Sequence, residues 1–226
     1  MRDLLIATKN PGKFKEIKSA FEGSDFNLIF LEEILNPCLS VMPTGRQAGR
    51  QVQDDKSFGR DGVIDDSDFV EDGETFEENA EKKARYYYEK FGVLTLAEDS
   101  GIVVEALKDE LGIKTRRWGK GESASDEEWL DFFMNRIKDE KNRVAEFVCC
   151  VCVYDGGKNI NKIFRGQTKG VIADNVFAPI LIGLPLSSVF VPEGMDKAYA
   201  QLTSVEKNRI SHRGKAIGKA KEFLIK

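Results

Sequence analysis

The stretch Leu4-Leu5-Ile6-Ala7-Thr8-Lys9-Asn10-Pro11-Gly12-Lys13 decides the fold, because an apolar run passes directly into a polar turn. The apolar run predicts a buried strand, and Pro11 and Gly12 mark a turn at which a helix begins. That helix has one apolar stripe, formed by Phe14, Ile17 and Phe21. A strand, a turn and a helix in this order indicate an α/β fold with a ligand site at the carboxyl end of the strand.

Capping sequences predict two more helices. Thr75-Phe76-Glu77-Glu78 precedes apolar residues at near-helical spacing, and Ser125-Asp126-Glu127-Glu128 precedes a packing helix. Between these helices, a predicted strand at 93–97 ends in Glu98-Asp99-Ser100-Gly101. We therefore expect two acids and a hydroxyl at a strand end, where α/β proteins place their chemistry.

The second half of the chain predicts a hairpin and a helical C-terminal region. Residues 147–154 and 162–172 have strand-like sequences on either side of a turn at 155–157. Cys149 and Cys152 should point to opposite faces of the first strand, so we expect buried reduced thiols rather than a metal site. Residues 203–206 cap a last helical region that contains Ser211-His212-Arg213.

Composition and charge narrow the classes of partner and location. The chain has 226 residues, 41% hydrophobic and 32% charged, which fits one sizeable domain or two closely packed lobes. Its formal net charge of −4 gives no long-range attraction for nucleic acid, so we expect none as a partner. The first apolar run is far shorter than the ~18 residues of a membrane span and unlike a signal peptide. We expect a cytoplasmic protein without a membrane partner.

Residues 43–68 lack the apolar periodicity of the rest of the chain. They are rich in Gly, Arg, Gln and Asp, and the triplet Gly-Arg-Gln occurs at 45–47 and again at 49–51. We interpret the segment as an exposed, flexible insertion within the domain. A contact with a partner through Arg46, Arg50 and Arg60 stays open as the alternative.

Two groups of residues have the side chains that polyphosphate chemistry needs. Residues 8–13 could cradle a phosphate at a helix N-terminus with Lys13 nearby, although they lack the spacing of a P-loop; a plain helix start is the alternative. Glu71, Glu98 and Asp99 could hold Mg²⁺ together with substrate phosphates, or orient a water molecule. Solvated loop acids are the alternative for this second group.

His212 is the only histidine in the chain, and it lies beside Arg213. An arginine and Lys207 could clamp a phosphate or a base edge. A purely structural histidine is the alternative. Each signal is weak by itself, but lysines, carboxylates and a His-Arg pair together suit Mg²⁺-assisted hydrolysis of a polyphosphate.

Four blocks in order along the chain resemble the inosine triphosphate pyrophosphatase family, the non-standard purine nucleotide pyrophosphatases that act on ITP, dITP and XTP. They are residues 5–13, 71–80 with 83–85, 97–101 and 211–214. The resemblance covers nearly the whole chain outside 43–68. It implies an elongated mixed β-sheet with flanking helices, in a single domain of two lobes around a nucleotide cleft, and a homodimer.

The resemblance also implies a role for each candidate residue. Mg²⁺ would be held by Glu71, Glu98 and Asp99, with Asp99 also acting as the general base and Lys13 as a second catalytic residue. Substrate would be bound by Thr8, Asn10, Lys13, Lys83, Ser100, Arg117, Lys207, His212 and Arg213. Among these, Lys207, His212 and Arg213 match the family's base-recognition end.

The chain departs from the family pattern at one place. Where the family has Phe-Gly-Tyr/Trp-Asp, this sequence has Leu184-Pro185-Leu186-Ser187. The aromatic ring that would stack on the base and the aspartate that would hydrogen-bond its edge are both missing. A pocket without buried hydrogen-bond partners discriminates poorly between related bases, so we expect an altered or relaxed base preference.

The sequence thus predicts a Mg²⁺-dependent hydrolase that converts ITP, dITP and XTP to monophosphate and pyrophosphate, as nucleotide-pool sanitation. Two alternatives stay open. One is a pyrophosphatase with a different base preference, and the other is a nucleotide-binding protein without turnover.

Overall fold

A mixed sheet of six strands forms the centre of the fold. The computed structural model describes residues 1–35, 68–108, 110–115, 118–121 and 123–226. Its strands are β1 (Arg2–Ile6), β2 (Phe26–Phe30), β3 (Thr95–Val104), β4 (Val144–Asp155), β5 (Ile160–Ile172) and β6 (Phe190–Pro192). They are ordered β2-β1-β3-β4-β5-β6 across the sheet. β1 is parallel to β2 and β3, and the other neighbouring pairs are antiparallel.

Helices cover both faces of this sheet. They are α1 (Pro11–Ala20), α2 (Leu31–Leu35), α3 (Phe76–Phe91), α4 (Asp126–Ile137), α5 (Ser204–Ile210) and α6 (His212–Ile225). Leu4 and Ile6 of β1 pack in one cluster with α1 and α6, whereas Leu5 packs in another with α3. A strand covered on both faces needs a continuous apolar run, which is what β1 has. The predicted α/β class, with a mixed sheet and flanking helices, is confirmed.

A third buried cluster lies between α4 and strands β3 to β6. Its largest members are Trp129, Phe133, Phe190 and Tyr199. The predicted capping box of α4 is present, since Ser125 and Glu128 each bond the other's backbone N–H. The predicted hairpin is also present as the antiparallel pair β4 and β5.

The strand that carries Glu98 and Asp99 does not end where the sequence predicted. β3 continues to Val104, so residues 98–101 lie in its middle, paired with β4. The prediction was wrong because two adjacent acids were taken to mark a loop. Here the two acids are only 2% and 7% exposed, and cationic and amide side chains accompany them. Buried charges are tolerated in a strand when they are paired in this way.

The predicted C-terminal helical region is divided in two at Ser211. This residue has an extended backbone, and its side chain accepts a hydrogen bond from Gly214 N at 2.9 Å, which begins α6. His212 and Arg213 therefore lie in the first turn of α6, where both are buried.

Three further predictions concern the cysteines, the insertion and the membrane. The described cysteines 149, 150 and 152 are free and buried, and Cys149 and Cys152 pack in clusters on opposite faces of the sheet.

Residues 43–67 of the predicted insertion lie outside the described residues. No helix in the described part of the chain is long and apolar enough to cross a membrane.

Candidate active site

A cavity of about 550 Å³ brings most of the predicted site residues together. Its charged region consists of Lys13, Glu71, Lys83, Asp99 and Ser100, with Glu98 buried behind them. Its aromatic region consists of Trp129, Phe147, Leu186, Ser187, Tyr199 and His212. Thr8, Asn10, Lys207 and Arg213 also line the cavity, and Arg117 lies outside the described residues.

The turn after β1 is shaped by the side chain of Asn10. Its Oδ1 accepts a hydrogen bond from Lys13 N at 3.0 Å and so caps α1, while its Nδ2 donates to Gly183 O at 3.0 Å. Gly183 has φ 73°, and a Cβ there would lie 2.5 Å from the Asn10 side chain. The turn is therefore a genuine helix start, and it is tied to the segment beside Leu184.

Two lysines neutralise two acids in the charged region. Lys13 Nζ lies 2.5 Å from Glu98 Oε1. Lys83 pairs with Glu71 and also donates to the backbone oxygen of Glu98 at 3.2 Å. Lys13 lies in α1 and Lys83 lies in α3, so each of these helices places one cation beside β3.

These pairs set the protonation states of the groups involved. Burial by itself would raise the pKa of Glu98, but the charges of Lys13 and Arg213 outweigh it and hold the pKa well below its usual range. Burial would likewise lower the pKa of Lys83, but the carboxylates of Glu71 and Asp99 raise it. Both groups are therefore charged at neutral pH.

Asp99 is the acid whose pKa moves in the opposite direction. Burial raises the pKa of its carboxyl, and the nearby charge of Glu71 raises it further, against the lowering effect of Lys83 and Lys13. Its Oδ2 accepts a hydrogen bond from Asn79 Nδ2 at 3.0 Å, and its Oδ1 accepts one from Ser100 N at 2.9 Å. A raised carboxyl pKa in a cavity is typical of catalytic acids and bases.

Asn79 is a site residue that the sequence analysis missed. It is fully buried, and its Oδ1 accepts a hydrogen bond from Gly73 N at 2.8 Å while its amide holds Asp99. Asn79 therefore fixes the backbone after Glu71 relative to β3. Its place in the block at 71–80 was the signal, since a polar residue on the buried stripe of α3 needs a partner.

Glu16 is the second missed residue, and it connects the two regions of the cavity. Its carboxylate lies 2.6 Å from Lys207 Nζ and 2.5 Å from Arg213 Nη1. Arg213 also donates to Ser100 Oγ at 2.9 Å, and its Nε lies 3.6 Å from Glu98. Burial would raise the pKa of Glu16, but Arg213 and Lys207 lower it. Both partners of Glu16 lie near the other end of the chain, so no local pattern in the sequence marks it as a site residue.

His212 lies in a stack of rings rather than among the acids. Its ring is 4.6 Å from that of Phe147 at 10°, and Tyr199 stacks at 6.1 Å. Burial and the adjacent Arg213 keep its pKa well below the usual range, so the imidazole is neutral. A neutral, stacked imidazole can pack against a flat ligand, but it is a poor phosphate clamp.

Of the three predicted metal ligands, Glu71 and Asp99 line the cavity and Glu98 is buried behind them, and the three do not form a preassembled metal cluster. Among the described residues no group of three or more His, Cys, Asp or Glu side chains is arranged to hold a metal ion. Glu71 and Glu98 are paired with lysines instead, and Asp99 with an amide. The oxygen donors have the chemistry that Mg²⁺ prefers, and Glu71 and Asp99 carry a mutual repulsion that a cation would relieve.

Residues 4–223 match the model of the Ham1 family. These residues include all those that line the cavity and the whole sheet except Arg2 and Asp3 of β1. The chain belongs to the Ham1 family. The predicted family relationship is confirmed by its relatives. A dITP/XTP pyrophosphatase of Aquifex aeolicus is 33% identical over 229 residues, covering 98% of this chain and 96% of the relative. A dITP/XTP pyrophosphatase of Staphylococcus aureus is 31% identical, covering 99% and 97%.

Solved structures of Ham1 proteins have the same fold. The Staphylococcus aureus Ham1 protein superposes with a TM-score of 0.72 at 30% identity and covers 99% of this chain and 98% of its own. A HAM1 protein from Coxiella burnetii superposes with a TM-score of 0.73 at 25% identity, covering 100% and 99%. This Ham1 chain therefore shares its architecture with relatives along their whole length.

Proposed function

We propose that this Ham1 chain is a Mg²⁺-dependent hydrolase that converts ITP, dITP and XTP to the monophosphate and pyrophosphate. The observation that carries the proposal is Asp99, a buried carboxyl with a raised pKa that lines a cavity beside Glu71 and Lys83. Support also comes from the dITP/XTP pyrophosphatases that match this chain over nearly its full length. The activity proposed is sanitation of the nucleotide pool.

The charged groups of the site balance one another, and this bears on how a triphosphate binds. The cations are Lys13, Lys83, Lys207 and Arg213, and each is paired with at least one of the acids Glu16, Glu71, Glu98 and Asp99. A site with four cations and four acids offers little net attraction to a polyanion. A triphosphate therefore needs additional positive charge when it binds, which a divalent cation supplies.

Mg²⁺ fits the donor set of the charged region. Glu71 and Asp99 would hold it, with Glu98 adjacent, because hard oxygen donors and substrate phosphates are its usual ligands. When bound, it supplies charge neutralisation and polarisation of a phosphoryl oxygen.

The side chains of the charged region then divide the remaining work. Asp99 positions a water molecule and takes its proton, since its carboxyl is held by Asn79 and Ser100 and burial raises its pKa above the ordinary value. Lys13 and Lys83, released from Glu98 and Glu71, neutralise the charge that develops on the leaving pyrophosphate. Thr8 and Asn10, at the start of α1, contact the phosphates.

The residues near the aromatic region are proposed to bind the nucleoside. Lys207 and Arg213 are held by Glu16, and Ser100 by Arg213, so these polar groups are oriented before substrate arrives. His212 contributes a neutral ring against the stack with Phe147. Arg117 is proposed as a further substrate contact. A single two-lobed domain spanning 1–226, a homodimer and a cytoplasmic location are proposed from the family resemblance.

A product assay tests this function. The purified chain is incubated with Mg²⁺ and ITP, XTP, dITP, ATP, GTP or dUTP, and the products are separated. Monophosphate and pyrophosphate from ITP or XTP are expected. Diphosphate and phosphate would reject the proposed bond, and saturable nucleotide binding without any product would favour a binding protein.

A further inference from the structure

Gly183 connects the turn after β1 to the part of the cavity wall at residues 184–187, the 184–187 wall. Its N–H donates a hydrogen bond to Asp126 Oδ2 at 2.5 Å, and its carbonyl oxygen accepts one from Asn10 Nδ2 at 3.0 Å. Asp126 is the first residue of α4, and Asn10 caps α1. Two helix N-termini that are far apart in the sequence therefore hold the two backbone polar groups of a single residue.

The backbone around Gly183 is in direct contact with the turn. Gly183 has φ 73°, which favours glycine, and a Cβ there would lie 2.5 Å from the Asn10 side chain. On the turn, a Cβ at Gly12 would lie 2.6 Å from Ile182 O. Because neither contact has room for a side chain, the position of Gly183 sets how far the 184–187 wall lies from the turn.

The turn keeps its shape through bonds that do not involve Asp126. Thr8 N donates to Ile6 O at 2.9 Å, and Asn10 N donates to Thr8 Oγ1 at 3.2 Å. Asn10 Oδ1 accepts a hydrogen bond from Lys13 N at 3.0 Å. These contacts are local, so we expect the turn to survive the loss of Asp126.

The 184–187 wall has local bonds too, but they do not fix its distance from the turn. Leu184 N donates to Leu181 O at 2.8 Å, and Ser187 N donates to Leu184 O at 3.0 Å. Asp126, by contrast, reaches the residue just before the wall from a different helix. A hydrogen bond to a carboxylate is among the stronger hydrogen bonds in proteins. The loss of Asp126 should therefore displace the wall more than the turn.

A ligand that fills the cavity contacts both the turn and the wall. Asn10 and Ser187 line the cavity, whereas Asp126 is not one of the lining residues. The proposed function places the phosphates at the turn and the nucleoside in the aromatic region, which includes Ser187. A small error in the distance between two binding groups weakens a ligand that must reach both groups, but not a ligand that reaches one of them.

We propose that Asp126 is a positioning residue, which sets the distance between the phosphate-binding turn and the 184–187 wall through Gly183. The proposal rests on the proposed function and adds to it a residue that acts through another without lining the cavity. The loss of Asp126 weakens ligands that span the cavity and spares ligands that bind at the turn alone.

Titration calorimetry with two ligands in the presence of Mg²⁺ tests the proposal. The α,β-imido analogue of ITP spans the cavity, and imidodiphosphate, an analogue of pyrophosphate, binds at the turn alone. In Asp126→Ala we expect the Kd of the ITP analogue to rise about tenfold, the size of one hydrogen bond, and the Kd of imidodiphosphate to change less than about twofold. Equal weakening of both ligands, or no weakening of either, would overturn the proposal.

Three further variants separate the hydrogen bond from the charge. Glu127→Ala removes an exposed acid from the same helical turn and should leave both Kd values within about twofold of wild type. Asp126→Asn keeps an oxygen acceptor of the same reach and should bind the ITP analogue within about threefold of wild type. Asp126→Glu keeps the charge but moves the acceptor by one methylene, so it should weaken the ITP analogue, and it replaces Asp126→Ala if that variant does not fold. The proposal is wrong if Asp126→Asn binds as weakly as Asp126→Ala, or if Asp126→Glu binds as tightly as wild type.

The product assay keeps the failure of this proposal distinct from the failure of the proposed function. If the unmodified chain binds the ITP analogue but hydrolyses no nucleotide, the proposed function fails, and the titrations still decide the role of Asp126. If the chain hydrolyses ITP and Asp126→Ala weakens neither ligand, the function stands and the positioning role fails. An unmodified chain that does not bind the ITP analogue would overturn both.

Discussion

The charged region and the aromatic region of the cavity are built in different ways. The charged region comes from three short stretches of sequence, at 5–13, 71–85 and 97–101. Its lysines and acids are paired with one another. The aromatic region is assembled from α4, β4, α6 and the segments before and after β6, and its contacts are mainly between rings. The proposed chemistry therefore uses local sequence motifs, whereas the proposed base selection depends on long-range packing.

The largest expected effect is the loss of Asp99 from the charged region. Asp99→Asn keeps the shape of the side chain but removes the base, so kcat for ITP should fall about 10³-fold, as for other general bases. Pyrophosphate release in the presence of Mg²⁺ measures this effect. Asp72→Asn is the matched control, because Asp72 is exposed and pairs with Lys82 at the surface. Activity of Asp99→Asn within tenfold of wild type would assign the base elsewhere.

Removing the charge of Glu16 should weaken the ion pairs that connect the charged region to the aromatic region. Glu16→Gln leaves Lys207 and Arg213 without their buried counter-charge, so the free energy of unfolding at pH 7 should fall by about 3 kcal/mol. Denaturation with urea measures the change, and Glu22→Gln, at an exposed position of the same segment, is the control.

The effect of Glu16 should also depend on pH with a defined sign. Its pKa is lowered in the folded chain below the ordinary value of 4.5, so its stabilisation is present above that value and is lost as the pH falls through the folded pKa. The difference in stability between wild type and Glu16→Gln should therefore narrow below pH 4.5. A difference that stays constant from pH 7 to pH 3 would contradict the ionic pairing.

Lys13→Ala tests the binding of the phosphates in the charged region rather than the transfer of a proton. Loss of a cation that faces the phosphates should lower kcat/KM for ITP by about 100-fold. Lys15→Ala, exposed on the same helix, should leave kcat/KM unchanged. A small effect in Lys13→Ala would mean that Lys13 serves only to pair with Glu98.

The smallest effect is expected from Ser187 in the aromatic region. Lys207 is held by Glu16 at 2.6 Å and only weakly by Ser187 at 3.4 Å, so Ser187→Ala should change kcat/KM for every purine nucleotide by less than about threefold. The nucleotide panel measures this change. A change of tenfold or more for one base would show that Ser187 selects the base.

Several elements and the charged motifs of this protein follow from the sequence by itself, whereas β2, α2 and β6 were not predicted. Strand β1, the helix start at Asn10, the capping box at Ser125 and the β4–β5 hairpin follow from local patterns, because capping bonds and apolar periodicity involve residues only a few positions apart. The same locality explains why Lys13 and Asp99 were identified as candidates, whereas Lys83 was identified through the family resemblance.

How these groups come together depends on the tertiary structure. It placed Glu98 and Asp99 inside β3 rather than at its end, gave Asp99 its partner Asn79, and joined Glu16 to Lys207 and Arg213 across nearly the whole chain. It also showed that Trp129, which lies in the predicted packing helix, lines the cavity. The physical reason is that burial, charge pairing and ring stacking act between side chains that strand pairing brings together, and no short stretch of sequence contains both partners.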